Sequence, residues 1–116
     1  MLSRESLTKE YISVVDSYYP AIGKLLKHCY VKILECYIQK LGKRLYYIGI
    51  YHPQGLHERL QAQQEKLKEI AENMGLIEVV FINATPLIRD PLSQLKRDNP
   101  RLWLELYWVA THNIDD

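Results

Sequence analysis

The sequence predicts a mixed α/β fold of the α+β kind: a mixed sheet of about four strands, a long amphipathic helix on one face and an N-terminal helix. Three observations carry this. Two short runs, LYYIGIY (45–51) and LIEVVFI (76–82), are rich in aromatic and β-branched residues. Between them, Leu56, Leu60, Leu67, Ile70, Ala71 and Met74 form one apolar stripe on an otherwise Gln-, Glu-, Lys- and Arg-rich segment. Near the end, Arg101 to Ala110 alternates, with Leu102, Leu104, Leu106, Trp108 and Ala110 on one side and Trp103, Glu105, Tyr107 and Val109 on the other.

The elements follow in order along the chain. Leu7, Tyr11, Val14, Val15 and Tyr18 recur at helical spacing, so 5–18 is a helix capped by Ser3 or Ser6 and stopped by Pro20. From Ala21 to Leu41 the pattern fits helix and strand alike; a helical turn near 21–28 and a strand at 30–38 suit Tyr30, Val31, Ile33 and Tyr37 best. Lys40-Leu41-Gly42-Lys43 then turns the chain into a strand at 44–51, ended by His52-Pro53. Gly49 inside that strand admits another element at close range.

Leu56–Met74 is one long helix closed by Gly75, and it crosses over to a parallel strand at 76–82 that is buried on both faces. Asn83–Pro86 is a turn, Asp90-Pro91 opens a short helix and Asn99-Pro100 closes it. The segment 101–110 is the fourth strand, because a helix would spread its large residues all round. The polar tail THNIDD frays.

Length and composition narrow the function classes. At 116 residues the chain makes a single domain over 1–116, and its 47% hydrophobic and 25% charged content is ordinary for a globular protein. Cys29 and Cys36 are seven apart, beyond disulfide reach on a helix and on opposite faces of a strand, so both are expected as free thiols in the cytoplasm. Neither a signal-peptide core nor a membrane-length apolar run is present, which predicts no membrane partner.

No residue set reaches the standard of a catalytic or cofactor site. His28, Cys29, Cys36, His52 and His57 lack every paired zinc-ligand spacing, so no metal is expected. No serine lies in a nucleophile elbow, and His28 next to Cys29 would point away from it on a strand. Glu35, Glu78 and Glu105 fall inside predicted strands, where a carboxylate more often pairs with Lys or Arg than serves as an acid. The loop His52-Pro53-Gln54-Gly55 stands between a strand and a helix start, a place that can hold an anion or small ligand. It lacks both a glycine-rich phosphate motif and the cysteine pair of a redox loop. His52, Gln54 and Gly55 are its candidate ligand residues.

Charge and aromatic content point to macromolecular partners. The net charge is +1, but residues 1–52 hold eight Lys/Arg against four Asp/Glu, and residues 53–116 hold seven against ten. Lys32, Lys40, Lys43 and Arg44 interleave with Tyr37 and other tyrosines, a mixture suited to RNA or single-stranded nucleic acid, although the sequence pI of about 7.8 is modest for such a role. Nine tyrosines and two tryptophans against one phenylalanine favour a protein interface over a plain core. The leading expectation is a non-catalytic, cofactor-free interaction module, an adaptor, assembly factor or chaperone-like protein that binds another chain and self-associates as a homodimer. Trp103, Tyr107, Trp108, Tyr46 and Tyr47 are its contact residues. Nucleic acid is the alternative partner, and a small ligand or enzymatic site at 52–55 the third reading.

Overall fold

Strands β1 (Tyr30–Ile38) and β2 (Lys43–His52) form an antiparallel hairpin, and β3 (Val79–Asn83) adds in parallel along the other side of β2. The computed structural model describes residues 3–112. The hairpin turns through a 3₁₀ turn at Gln39–Leu41, and Gly42 at φ 60° closes it in the left-handed region that a side chain disfavours. Register pairs Tyr30 with Tyr51 and Ile33 with Ile48, while Ile48 also faces Val79 across β3.

Alternation along the strands sorts the sheet into two faces. Val31, Ile33, Ile48, Ile50 and Val79 point to one, where α1 (Arg4–Tyr18), α2 (Pro20–Leu26), α3 (His57–Gln61) and α4 (Gln64–Asn73) cover them with Tyr11, Val15, Ile22, Leu26, Leu60, Leu67 and Ile70. The Tyr11 hydroxyl donates to the Leu67 carbonyl at 3.0 Å, tying α1 to α4 inside this core. Ser3 caps α1 by accepting from the Ser6 amide. Tyr19 leaves the helical region before Pro20, which then opens α2 as its first residue.

Tyr30, Tyr51 and Ile82 point to the other face. There α5 (Ala84–Arg89), α6 (Leu95–Asp98) and α7 (Pro100–Thr111) close a second, smaller core with Leu87, Leu102, Leu106 and Val109. This cover lies over one end of the sheet. Toward the hairpin Cys36 is exposed, and Val80 is partly so.

The architecture is α+β, as the sequence predicts, with seven α-helices and a three-stranded mixed sheet among the described residues. Several elements differ from expectation. The segment 101–110 is helix α7, not a fourth strand. Asn99-Pro100 ends the short helix α6, as expected, and also begins α7: Asn99 accepts from the Leu102 amide and Pro100 takes the first helical position. The long helix divides into α3 and α4. No apolar side chain from 61 to 66 holds that stretch to the core, and the Gln63 amide falls back on the Leu60 carbonyl, a tightened last turn.

β3 starts at Val79, although Ile77 already donates to the Tyr46 carbonyl and the Ile48 amide donates to Glu78. It is buried on one face rather than two: Val79 is buried, whereas Val80 is exposed. Asn83–Pro86 is not a free turn: Asn83 caps α5 through the Thr85 amide. Asp90 accepts from Leu92 in a local turn, and α6 begins only at Leu95. Residues 113–116 of the tail expected to fray lie outside the described residues. Among the described residues no helix is long and apolar enough to cross a membrane.

Gly49 does admit a close neighbour. A Cβ there would meet Leu34 Cδ1 at 2.6 Å, because Leu34 on β1 lies across the glycine. Gly49→Ala should cost about 1–3 kcal/mol by overpacking. In a double-mutant cycle with Leu34→Ala most of that cost should vanish, measured by urea unfolding. Equal costs in both backgrounds would show that the close packing of Leu34 is not what selects glycine.

Candidate interaction surface on helix α7

Helix α7 is apolar almost all the way round. At 100° per residue, Leu102, Leu106 and Val109 fall on one side and enter the second core. Leu104 falls opposite them and is 61% exposed; Tyr107 and Trp108 flank it at 48% and 43%. Trp103 and Tyr107, one turn apart, stack with ring centroids 5.2 Å apart and planes at 21°. Lys96 Nζ caps that stack from α6, 4.7 Å from the Trp103 ring centre. On the other side the His112 ring lies 4.2 Å from Trp108, and His112 Nδ1 donates to the Trp108 carbonyl.

A helix with apolar residues on every side is ordinarily buried on every side. Here one side is covered and the other faces solvent. Between Trp103 and Trp108 the only charged residue is Glu105, which turns toward β1 and Tyr30. The outer face is therefore large and aromatic, with Lys96 and Arg101 as cations at its margin, and covering its centre desolvates few polar groups.

The structure thus keeps Trp103, Tyr107 and Trp108 together, on one helix rather than on two strand faces. It adds Leu104, which the alternating pattern puts on one side with Leu102 and Leu106. A helical wheel drawn from Asn99-Pro100 would have found it. Tyr46 and Tyr47 do not join this surface. Tyr46 lies on the opposite sheet face beneath the Arg4 guanidinium, 5.3 Å from its ring centre; Tyr47 is on the α7 side, half-buried in β2.

The basic residues are divided as well. Lys40, Lys43 and Arg44 collect at the hairpin tip, where Tyr37 is 57% exposed and sits opposite Arg44. Lys32 is half a strand away, beside α7. Arg44 is 3.3 Å from Glu35, which also pairs with Arg4, so one carboxylate holds two of the cations. Glu78 pairs with Lys68 at 3.4 Å, and Glu105 stands on a helix instead of a strand.

The loop at 52–55 folds around a buried histidine. His52 is fully buried; its Nδ1 donates to the Pro53 carbonyl at 2.9 Å, and its Nε2 faces His57 Nδ1 at 3.3 Å. Gln54 is exposed, and Gly55 at φ 101° supplies a left-handed turn into α3. No spacing rule links His52 to His57; the turn brings them together.

Burial lowers the His52 pKa and the His57 charge lowers it further, against the raising effect of the Pro53 carbonyl. The native state therefore holds its proton less tightly than the unfolded chain, whose histidine titrates near 6.5. As pH falls from 7 through 6.5 the unfolded state gains the proton first, and stability drops by up to about 1.4 kcal/mol per pH unit from this residue until the native pKa is reached. Urea midpoints at neutral and mildly acid pH should show a larger acid loss in the wild type than in His52→Asn. Equal losses would remove His52 as the cause.

Cys29 donates to the Leu25 carbonyl at 3.4 Å, and burial pushes its thiol up to about 12, so it is not a thiolate at neutral pH. Among the described residues no group of three or more His, Cys, Asp or Glu side chains is placed to hold a metal ion. No protein-family model, curated protein or solved structure matches this chain.

Proposed function

We propose that this protein is a non-catalytic protein-interaction module that self-associates through the outer face of α7. The observation that carries the proposal is the exposure of Leu104, Tyr107 and Trp108 on a helix whose inner side is already packed. A second copy is the occupant that fits best. A patch whose centre is apolar is complementary to itself, and a two-fold axis beside α7 sets the same residues against each other in antiparallel helices. Tyr and Trp also supply contact area at small entropic cost. An adaptor or assembly role follows from such a surface in a cytoplasmic protein.

Nucleic acid has less support, because Arg44 is engaged by Glu35 and Lys32 stands apart from the hairpin tip. A ligand role for the 52–55 loop is weakened by the inward-turned His52. Sedimentation velocity tests the proposal. The wild type should show a concentration-dependent rise in sedimentation coefficient that Trp103→Ala/Tyr107→Ala abolishes; a rise unchanged by the double substitution would remove α7 as the contact.

A further inference from the structure

The sheet ends at β1, whose outer edge has no strand partner among the described residues. Along Tyr30–Ile33 of that edge runs a groove of about 490 Å³, walled by α1 on one side and by the start of α7 on the other. An open strand edge presents unpaired backbone donors and acceptors, and natural proteins usually cover or blunt it. Here the flanking helices leave it at the floor of a slot.

We infer that this groove binds an extended acidic peptide segment of another protein, which adds to β1 as a further strand. Charge favours that occupant. Arg4, Lys9, Lys32 and Arg101 line the groove against Glu5 and Glu105; Arg4 is already paired with Glu35, so Lys9, Lys32 and Arg101 are the cations on which the preference rests. The same excess disfavours a second copy, since β1 paired antiparallel with itself about Lys32 would set that lysine against its own symmetry mate. The four floor residues match about 13 Å of strand, enough to register a short segment through main-chain hydrogen bonds, with alternate side chains meeting α1 and α7. The inference deepens the protein-binding reading on a surface separate from the outer face of α7, so either can fail alone.

Fluorescent heptapeptides alternating glutamate with valine, and lysine with valine, provide the probe at low ionic strength. The acidic peptide should bind at least tenfold more tightly by anisotropy and should slow hydrogen exchange at Tyr30–Ile33. Lys32→Glu/Arg101→Glu should reverse the preference toward the lysine peptide, a gain that a misfolded variant could not show. Leu104→Lys, outside the groove, should leave binding unchanged. Three results would overturn the inference: no binding of the acidic peptide, equal affinity for both peptides, or unimpaired binding after N-methylation of alternate peptide amides. Protection of Tyr30–Ile33 that rises with protein concentration alone would assign the groove to a second copy instead.

Discussion

Leu104→Lys should make the protein monomeric without lowering its stability. Leu104 lies opposite the packed side of α7 and is mostly exposed, so within one chain the substitution removes almost no burial. Lysine is also a good helix former, and α7 should keep its length. In the self-associated state the same position is at the centre of the contact. Losing a buried leucine there forfeits about 1.5–3 kcal/mol at each of two symmetric positions. An ammonium buried in its place adds a desolvation cost. Together these amount to more than about 3 kcal/mol, roughly a hundredfold or greater weakening of the dimer. The expected signature is a separation of two readouts: urea midpoint unchanged, sedimentation shifted to the monomer. A fall in the urea midpoint of the dilute, monomeric protein would mean instead that Leu104 serves the fold.

Ile48→Ala should have the largest effect on folding. Ile48 is fully buried in the central strand, opposite Ile33 on β1 and Val79 on β3, under the helices of the first core. Truncation removes its contacts and leaves a cavity that strands on both sides prevent from collapsing; the cost should be about 2–5 kcal/mol. Against a total of about 5–15 kcal/mol for a typical domain, this is a large share. Tyr37→Ala, near the exposed end of β1, should change stability by no more than about 0.5 kcal/mol. Urea unfolding of the two variants would separate a core organised around β2 from one spread evenly over the sheet; similar losses in both would contradict the former.

The parts of this fold that were legible are those in which one periodicity dominated. β1 is legible at 30–38 because its β-branched and aromatic residues outweigh a competing helical stripe, and β2 because LYYIGIY has no helical reading. The last segment defeats periodicity for a physical reason. LWLELYWV places large residues at every position, so it satisfies a two-residue alternation and fills a helical wheel equally well. The expectation that a helix would spread those residues all round was geometrically right. What decides is the start signal, Asn99-Pro100, and a chain that leaves one apolar side of a helix uncovered. The same ambiguity concealed Leu104.

The histidine pair and the groove were illegible for another reason. His52 meets His57 only because Pro53–Gly55 turn the chain back on itself. The groove exists only because α1 and α7, far apart in sequence, flank the same strand edge. The excess of tyrosine and tryptophan over phenylalanine draws attention to Trp103, Tyr107 and Trp108 whatever element bears them, and the structure places the three on one helix.

Sedimentation equilibrium of the wild type and of Leu104→Lys, from low micromolar to submillimolar concentration, tests the central claim most directly. The wild-type mass should rise from the 13.7 kDa of one chain toward twice that value, while Leu104→Lys stays at one chain throughout. A wild type that remains at 13.7 kDa at every concentration, or a variant that associates as the wild type does, would contradict self-association through α7.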